Sequence, residues 1–174
     1  TGDINLRGSR LLPSADLDIG EMDMVITEST YSQENQMPRK DSEKGLIDFA
    51  NEVMDRKGTL FIPSFSVERS QEVASVLISS GFKHKIIMDG MALKVNEVLL
   101  RHPEYLRNPE IFEDVIGRVV AINDHKERKR ALTEPCVVIS PAGMLVGGNA
   151  VYYLQQLAFD DKNGIALVSY QGEG

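Results

Sequence analysis

Two carboxylates near the start of the chain, Asp3 and Glu28, have the neighbours best suited to metal chemistry. Asp3 follows a glycine, which lets the backbone approach a ligand closely, and Glu28 follows the apolar run Met24 to Thr27. A carboxylate in such a setting can link two metal ions about 3.5–4 Å apart, the arrangement used for phosphodiester hydrolysis. From the residues alone, a turn residue is the better account of Asp3, and Glu28 also fits an ordinary cap or turn carboxylate.

The histidines that would complete a hydrolytic metal site are few and scattered. A hydrolytic zinc centre normally has three or more protein ligands plus a water, and histidine is prominent among the ligands. The chain contains His84, His102 and His125, which form neither an HxH nor an HxxxH pair. The sequence therefore holds at most part of such a site, and we expect no tightly bound metal in this chain.

The composition of the 174-residue chain is that of an ordinary globular domain, with 42% hydrophobic and 26% charged residues. We expect no signal peptide, because residues 1–10 are polar, and no membrane span, because no apolar run approaches about 20 residues. The one cysteine, Cys136, excludes an internal disulfide and is predicted to be a small buried side chain in an apolar run. These features fit a cytoplasmic location.

The charge pattern limits how the chain can bind nucleic acid. A net charge of -7 argues against a broadly basic surface, although it leaves a local groove open. The one concentrated basic stretch runs from His125 to Arg130. We interpret it as a solvated helix face, with contact to a phosphate backbone as the alternative.

Short apolar runs alternate with amphipathic stretches along the whole chain. This rhythm predicts an α/β fold, with a mainly parallel, doubly wound (Rossmann-like) sheet and helices on both faces. Ser66 is predicted to cap one helix, and Asn123 or Asp124 another. Strands are predicted at residues 24–27, 59–65, 85–88, 118–122, 137–140 and 165–170, and helices at residues 41–57, 67–79, 92–101, 106–115, 124–132 and 150–159.

Three loops are predicted at the carboxyl edge of this sheet, where ligands of such folds bind. They are Pro63 to Arg69, Asp89 to Met91, and Ser140 to Asn149. Each pairs small or hydroxyl residues with a helix N-terminus, whose backbone amides favour anions such as phosphate. None matches GxGxxG or a P-loop, and each also has a structural explanation, such as a surface pair between Arg69 and Glu72.

Taken together, these segments resemble the β-CASP branch of the metallo-β-lactamase superfamily, which contains ribonuclease J and the endonuclease of the cleavage-and-polyadenylation machinery. The resemblance covers essentially the whole chain in order. It departs from the family pattern at Ser32, where glycine is usual, and at Glu68, where glycine is frequent, and the family's HxHxDH signature is not in this sequence. The matching segments are Thr1-Gly2-Asp3 (fourth metal motif), Glu28 to Tyr31 (motif A), Ile62 to Glu72 (IPxFxxGRxQE), Ser140 to Gly148 (SPxGM…GG), and residues 163–174 (return to the lactamase domain).

The resemblance implies an excised β-CASP domain at residues 29–174, with a remnant of the lactamase domain at residues 1–28. It implies a parent that is a zinc-dependent RNA-processing nuclease, as in mRNA 3′-end processing. In that parent Asp3 would bridge two zinc ions and Glu28 would support a catalytic histidine. The expected partners are single-stranded RNA and the lactamase domain of the same chain, and this chain alone is expected to be inactive. The candidate RNA contacts are Ser66, Arg69, Ser140, Gly143 and Asn149.

Other functions stay open at this point. One is a non-enzymatic doubly wound domain that binds a nucleotide or phosphorylated ligand, and another is a scaffold subunit of an RNA-processing complex. Whether the parent cuts internally or trims ends, which RNA sequence it prefers, and whether it forms a homo-oligomer are not indicated by the sequence.

Overall fold

The chain folds around a five-stranded sheet whose strands all run parallel. The computed structural model describes residues 1–172. The sheet order is β3-β2-β4-β1-β5, and every neighbouring pair is parallel, which confirms the predicted doubly wound α/β fold. The strands are β1 (Leu60–Pro63), β2 (Ile86–Asp89), β3 (Val120–Ile122), β4 (Val137–Ser140) and β5 (Gly164–Ile165).

Helices cover both faces of this sheet. Side chains alternate along each strand, so Leu60 and Ile62 face one hydrophobic core while Phe61 between them faces the other. The first core contains residues of α1 to α4, and the second contains residues of α5 and α6. The helices are α1 (Arg39–Asp55), α2 (Arg69–Ser79), α3 (Met91–Arg101), α4 (Pro109–Arg118), α5 (His125–Ala131) and α6 (Gly148–Leu157), with a 3₁₀ turn at Pro103–Tyr105.

The strand order creates a crevice at the carboxyl edge between β2 and β4. The chain leaves β2 through α3 and α4 on one face of the sheet, and leaves β4 through α6 on the other. Because β2 and β4 are neighbours, their connections diverge there. In open parallel sheets such a divergence is the usual place for a ligand.

Two predicted strands differ from the structure. Residues 24–27 form irregular chain, and the side chains of Met24, Val25 and Ile26 are exposed. An apolar run becomes a strand only where a neighbour satisfies its backbone hydrogen bonds, and none of the described strands lies beside this one. The last strand is only Gly164–Ile165, shorter than predicted, and Glu173 and Gly174 of the return segment lie outside the described residues.

One predicted helix cap, Asp124, is confirmed, and the other, Ser66, is wrong. Asp124 caps α5, since its carboxylate accepts hydrogen bonds from the amides of Lys126 (2.7 Å) and Glu127 (2.8 Å). Ser66 does not cap α2, because that helix begins only at Arg69. The residues between Ser66 and the helix instead form a tight turn, described below.

Cys136 is buried, as predicted. Burial raises the pKa of its thiol to about 11, so it is not a thiolate at neutral pH. None of the helices in residues 1–172 combines the length and the apolar character that a bilayer crossing demands.

Candidate functional site

The three loops at the carboxyl edge form one continuous surface. In the sheet, Pro63 of β1 lies beside Ser140 of β4. Gly143 packs so closely on the first loop that a Cβ there would lie 3.1 Å from the Phe65 nitrogen. Gly90 of the second loop is in ordinary van der Waals contact with the third loop, because a Cβ there would lie 3.4 Å from the Asn149 side-chain nitrogen. The sheet thus brings together the loops that the sequence predicted to meet.

The crevice between β2 and β4 is filled by a buried ionic network around Asp89. This residue ends β2 and is only 1% exposed. Its carboxylate accepts two hydrogen bonds from the Arg128 guanidinium (Nε, 2.5 Å; Nη2, 3.0 Å), one from the Asn149 amide (2.9 Å) and one from the Tyr153 hydroxyl (2.8 Å). The hydrogen bond to Asp89 raises the pKa of Arg128, and burial, followed by the same carboxylate, raises that of Tyr153. The Arg128 guanidinium therefore occupies the crevice.

Sequence reasoning missed this network. The basic stretch was predicted to be a solvated helix face, which holds for Lys126, Lys129 and Arg130, whereas Arg128 turns inward. One signal was available. An acidic residue that ends a strand of buried apolar residues is itself buried and requires a cationic partner.

The candidate RNA-contacting residues differ in their solvent exposure. Ser140 and Gly143 are buried, Ser66 and Asn149 are half-buried, and Arg69 is exposed. Ser140 Oγ lies 3.2 Å from the carbonyl oxygen of the following residue, and the Asn149 amide is committed to Asp89. Arg69 therefore presents the only fully open side chain of the five, and the others can contribute mainly backbone groups.

The loop that leads into α2 contains a strained turn at Glu68. Its dihedral angles, φ 63° and ψ -57°, together with a 2.7 Å hydrogen bond from the Arg69 amide to the Val67 carbonyl, define a classic γ-turn. Glycine adopts this conformation far more readily than an L-residue does. The family that the sequence resembles often has glycine at this position. Glu68 therefore adopts a backbone conformation that suits glycine better than glutamate.

The predicted surface pair between Arg69 and Glu72 is wrong. The Glu72 carboxylate instead accepts hydrogen bonds from the backbone amides of Arg10 and Leu11, both 2.9 Å, and pairs with the Arg39 guanidinium. Glu72 lies on the covered side of α2, beneath the N-terminal segment, while Arg69 faces solvent. The carboxylate thereby fastens the N-terminal segment to the body of the domain.

The segments that carry Asp3 and Glu28 lie side by side. The N-terminal ammonium group donates a 2.6 Å hydrogen bond to the Ile26 carbonyl. The pKa of Glu28 lies below its ordinary value, chiefly because of hydrogen bonds from Thr30, whose amide is 2.8 Å away, with a smaller contribution from the Ile4 amide. The structure thus places the two candidate metal-site carboxylates on adjacent segments.

These carboxylates do not make a complete metal centre with the other described residues. Within residues 1–172, no group of three or more histidine, cysteine, aspartate or glutamate side chains is close enough to hold a metal ion. The histidines are dispersed, since His84 packs on Phe82 and His125 on Tyr152. The donor set of this chain therefore does not by itself fit a hydrolytic zinc site.

Comparison with known proteins decides the family. The model of the Beta-Casp domain matches residues 70–174, more than half of the chain. The chain belongs to the β-CASP family. The β-CASP match begins within α2 and includes Asp89, Arg128 and the whole loop between β4 and α6.

Named β-CASP relatives are similar along essentially the whole chain. RNase aCSPSF2 of Saccharolobus solfataricus is 39% identical over 172 residues, which are 98% of this chain and 35% of that protein. The transcription termination factor FttA of Pyrococcus horikoshii is 36% identical, covering 100% of this chain and 29% of the factor. The RNase J-like protein of Methanocaldococcus jannaschii is also 36% identical, covering 100% and 43%. The chain thus spans about a third of the length of these relatives.

Proposed function

We propose that this chain is the RNA-binding β-CASP domain of a ribonuclease, in which it covers single-stranded RNA at a catalytic metal site. The observation that carries the proposal is the continuous carboxyl edge, where three loops and the N-termini of α3 and α6 converge. Backbone amides at helix N-termini favour phosphate groups. The relatives named RNase support the same substrate class and a hydrolytic parent. A role in mRNA 3′-end processing and a cytoplasmic location are the finer parts of the proposal.

The proposed catalytic role of this chain is to supply part of a larger site. Asp3 would be one of the residues that hold the zinc of the parent, and that zinc would supply Lewis-acid activation of a water. Glu28 would orient a histidine from outside this chain, because a glutamate carboxylate is ionised at neutral pH and can accept a hydrogen bond. The remaining ligands would come from the lactamase domain of the parent.

The exposed N-terminal segment supports the proposed contact with that domain. The side chains of Leu17, Ile19, Met22, Met24 and Ile26 are all exposed on one irregular segment. Contiguous exposed apolar surface usually marks an interaction site. Residues 1–28 would then be part of the lactamase domain, and residues 29–174 the β-CASP domain.

The nucleotide-binding alternative is weakened by one specific observation. A mononucleotide in this fold would lie in the crevice between β2 and β4, where Arg128, Asn149 and Tyr153 already surround Asp89. The scaffold alternative is weakened by the presence of both carboxylates, Asp3 and Glu28, on adjacent segments, since an inactive site has no need for them.

Binding measured by fluorescence anisotropy tests the proposal. A labelled single-stranded 10-nucleotide RNA should bind the chain, and binding should weaken as salt rises because phosphate contacts release counterions. Arg69→Ala should lower the affinity and the salt dependence, whereas Arg101→Ala, at the end of α3 away from the carboxyl edge, should change neither. A thermal shift with ATP or GMP but no binding of RNA would favour the nucleotide alternative instead.

A further inference from the structure

The carboxyl edge carries exposed apolar side chains that phosphate binding does not require. Phe65 is 39% exposed, Met91 64% and Val146 84%, and Val67 and Met144 are exposed as well. They come from the three loops that the contacts at Gly90 and Gly143 join into one surface. We call these five residues the apolar rim. An aromatic ring and flexible methionines beside helix N-termini suit a ligand that has both flat apolar faces and phosphates.

The backbone of Phe65 is anchored by hydrogen bonds, and its ring packs against a neighbouring loop. The carbonyl of Phe65 accepts hydrogen bonds from both the hydroxyl (2.7 Å) and the amide (3.1 Å) of Ser70. A Cβ at Gly143 would lie 3.2 Å from Cδ1 of the ring, so the ring rests against the backbone of the loop between β4 and α6. That loop is itself tied by a 2.9 Å hydrogen bond from the Gln171 side chain to the Gly143 carbonyl. A platform that is ordered before binding loses little entropy when a ligand stacks on it.

We propose that Phe65 is a stacking platform for an unpaired base of the RNA, with Met91, Met144 and Val146 flanking that base. This inference rests on the proposed function and adds the mode of recognition to it. A double helix hides its base faces, so such a platform selects single-stranded RNA. Stacking discriminates weakly between bases, because every base has a flat face, and the platform therefore gives affinity without strong sequence preference.

Charge at the rim favours RNA over a protein segment as the occupant. Arg69, the first residue of α2, is exposed and makes no salt bridge to any residue in the described range 1–172. An open arginine four residues after an aromatic residue, where the loop enters α2, matches a strand that carries both phosphates and bases. A purely apolar protein surface would gain little from that cation.

Two oligonucleotides that differ only in their bases test the inference directly. One is a 10-nucleotide adenosine RNA, and the other is an abasic ribose-phosphate 10-mer with the same phosphates. Stacking predicts that the chain binds the adenosine RNA at least several-fold more tightly than the abasic strand at the same salt concentration. Equal affinity for the two strands would show that only phosphates are recognised and would overturn the platform.

Substitution of Phe65 tests whether its ring is the surface on which the base stacks. Phe65→Ala should weaken binding of the adenosine RNA roughly tenfold and leave the abasic strand unchanged, while Phe65→Tyr should restore binding because it keeps the ring. Phe159→Ala is the matched control, since this exposed phenylalanine follows α6, remote from the carboxyl edge. An unchanged affinity for Phe65→Ala would overturn the inference.

Methionine methyl spectra of the wild-type chain supply an independent readout that needs no variant. The adenosine RNA should shift the Met91 and Met144 methyl signals through base ring currents, whereas Met54, which is buried in the core, serves as the control. RNA binding without shifts at Met91 and Met144 would remove the platform and keep the proposed function. Complete failure to bind either strand would remove both.

Discussion

The backbone at Glu68 is the clearest single-residue conflict between sequence and structure. A classic γ-turn is strained for any residue with a Cβ, and Glu68 adopts it with φ 63°. We predict that Glu68→Gly raises the free energy of unfolding by about 1 kcal/mol, because relief of this strain exceeds the entropy lost on ordering glycine. Urea denaturation measures the change.

A helix position provides the control for this prediction. Glu97→Gly replaces an exposed glutamate within α3, where glycine should lower the free energy of unfolding by about 1 kcal/mol. If both variants are destabilised to the same extent, the turn at Glu68 is not strained and the account of this loop is wrong.

The ion pair at the sheet crevice predicts a much larger effect. Asp89→Ala leaves the Arg128 guanidinium, whose side chain is 13% exposed, without its anion and also removes hydrogen-bond acceptors of Asn149 and Tyr153. We expect a loss of about 3–5 kcal/mol in the free energy of unfolding, as for other buried pairs that lose one partner. Asp48→Ala, which breaks the exposed pair with Lys44, should cost under about 1 kcal/mol. Similar losses in the two variants would contradict the network.

At the residue scale, the sequence predicts what depends on local chemistry. The capping role of Asp124 and the burial of Cys136 follow from their immediate neighbours, and the structure confirms both. Arg128 lies 39 positions after Asp89, and Arg10 lies 62 positions before Glu72. Spacing within one helix or loop does not reveal partners so far away in the sequence.

At the scale of elements, acidic side chains fasten the N-terminal segment to α1 and α2. Burial opposes ionisation of Glu43, but hydrogen bonds from Arg10 and Arg39 outweigh it, and the pKa of Glu43 lies below its ordinary value of 4.5. A carboxyl with a lowered folded-state pKa stabilises the fold above its unfolded-state pKa. That contribution is lost as pH falls through the lower folded-state value.

This linkage predicts a pH dependence of the attachment. Between pH 7 and pH 5 the stability contributed by Glu43 should stay constant, and below pH 4.5 it should fall. Glu43→Gln should be less stable than the wild type at neutral pH, and the difference should shrink in acid. Urea midpoints measured from pH 7 to pH 3 check this, and a difference that does not change with pH would rule out the ionised pair.

The sequence predicts elements well where periodicity and burial coincide. Strand β4 has the predicted bounds, because Val137–Ser140 is apolar and fully buried. Residues 24–27 have the same apolar character but lack a neighbouring strand among the described elements, so periodicity alone gives the wrong structure there. A strand depends on its partner as much as on its own residues.

At the scale of the whole molecule, the chain combines an acidic net charge of -7 with the proposed RNA-binding surface at the carboxyl edge. The fold is predictable from the sequence because the order of apolar runs dictates a parallel sheet, and the motifs indicate the family. The proposed catalytic site is less predictable from this chain, because Asp3 and Glu28 lie at its surface and make no metal-holding group with the other described residues.

The most direct measurement is RNA cleavage by the purified chain with added zinc. The account predicts that a labelled single-stranded RNA is bound but stays intact, with no difference between the wild type and Asp3→Ala, because one bridging carboxylate cannot assemble the metal site. The Asp3→Ala preparation also reveals a contaminating nuclease, whose activity would be the same in both samples. Zinc-dependent cleavage by the wild type that Asp3→Ala abolishes would contradict the central claim.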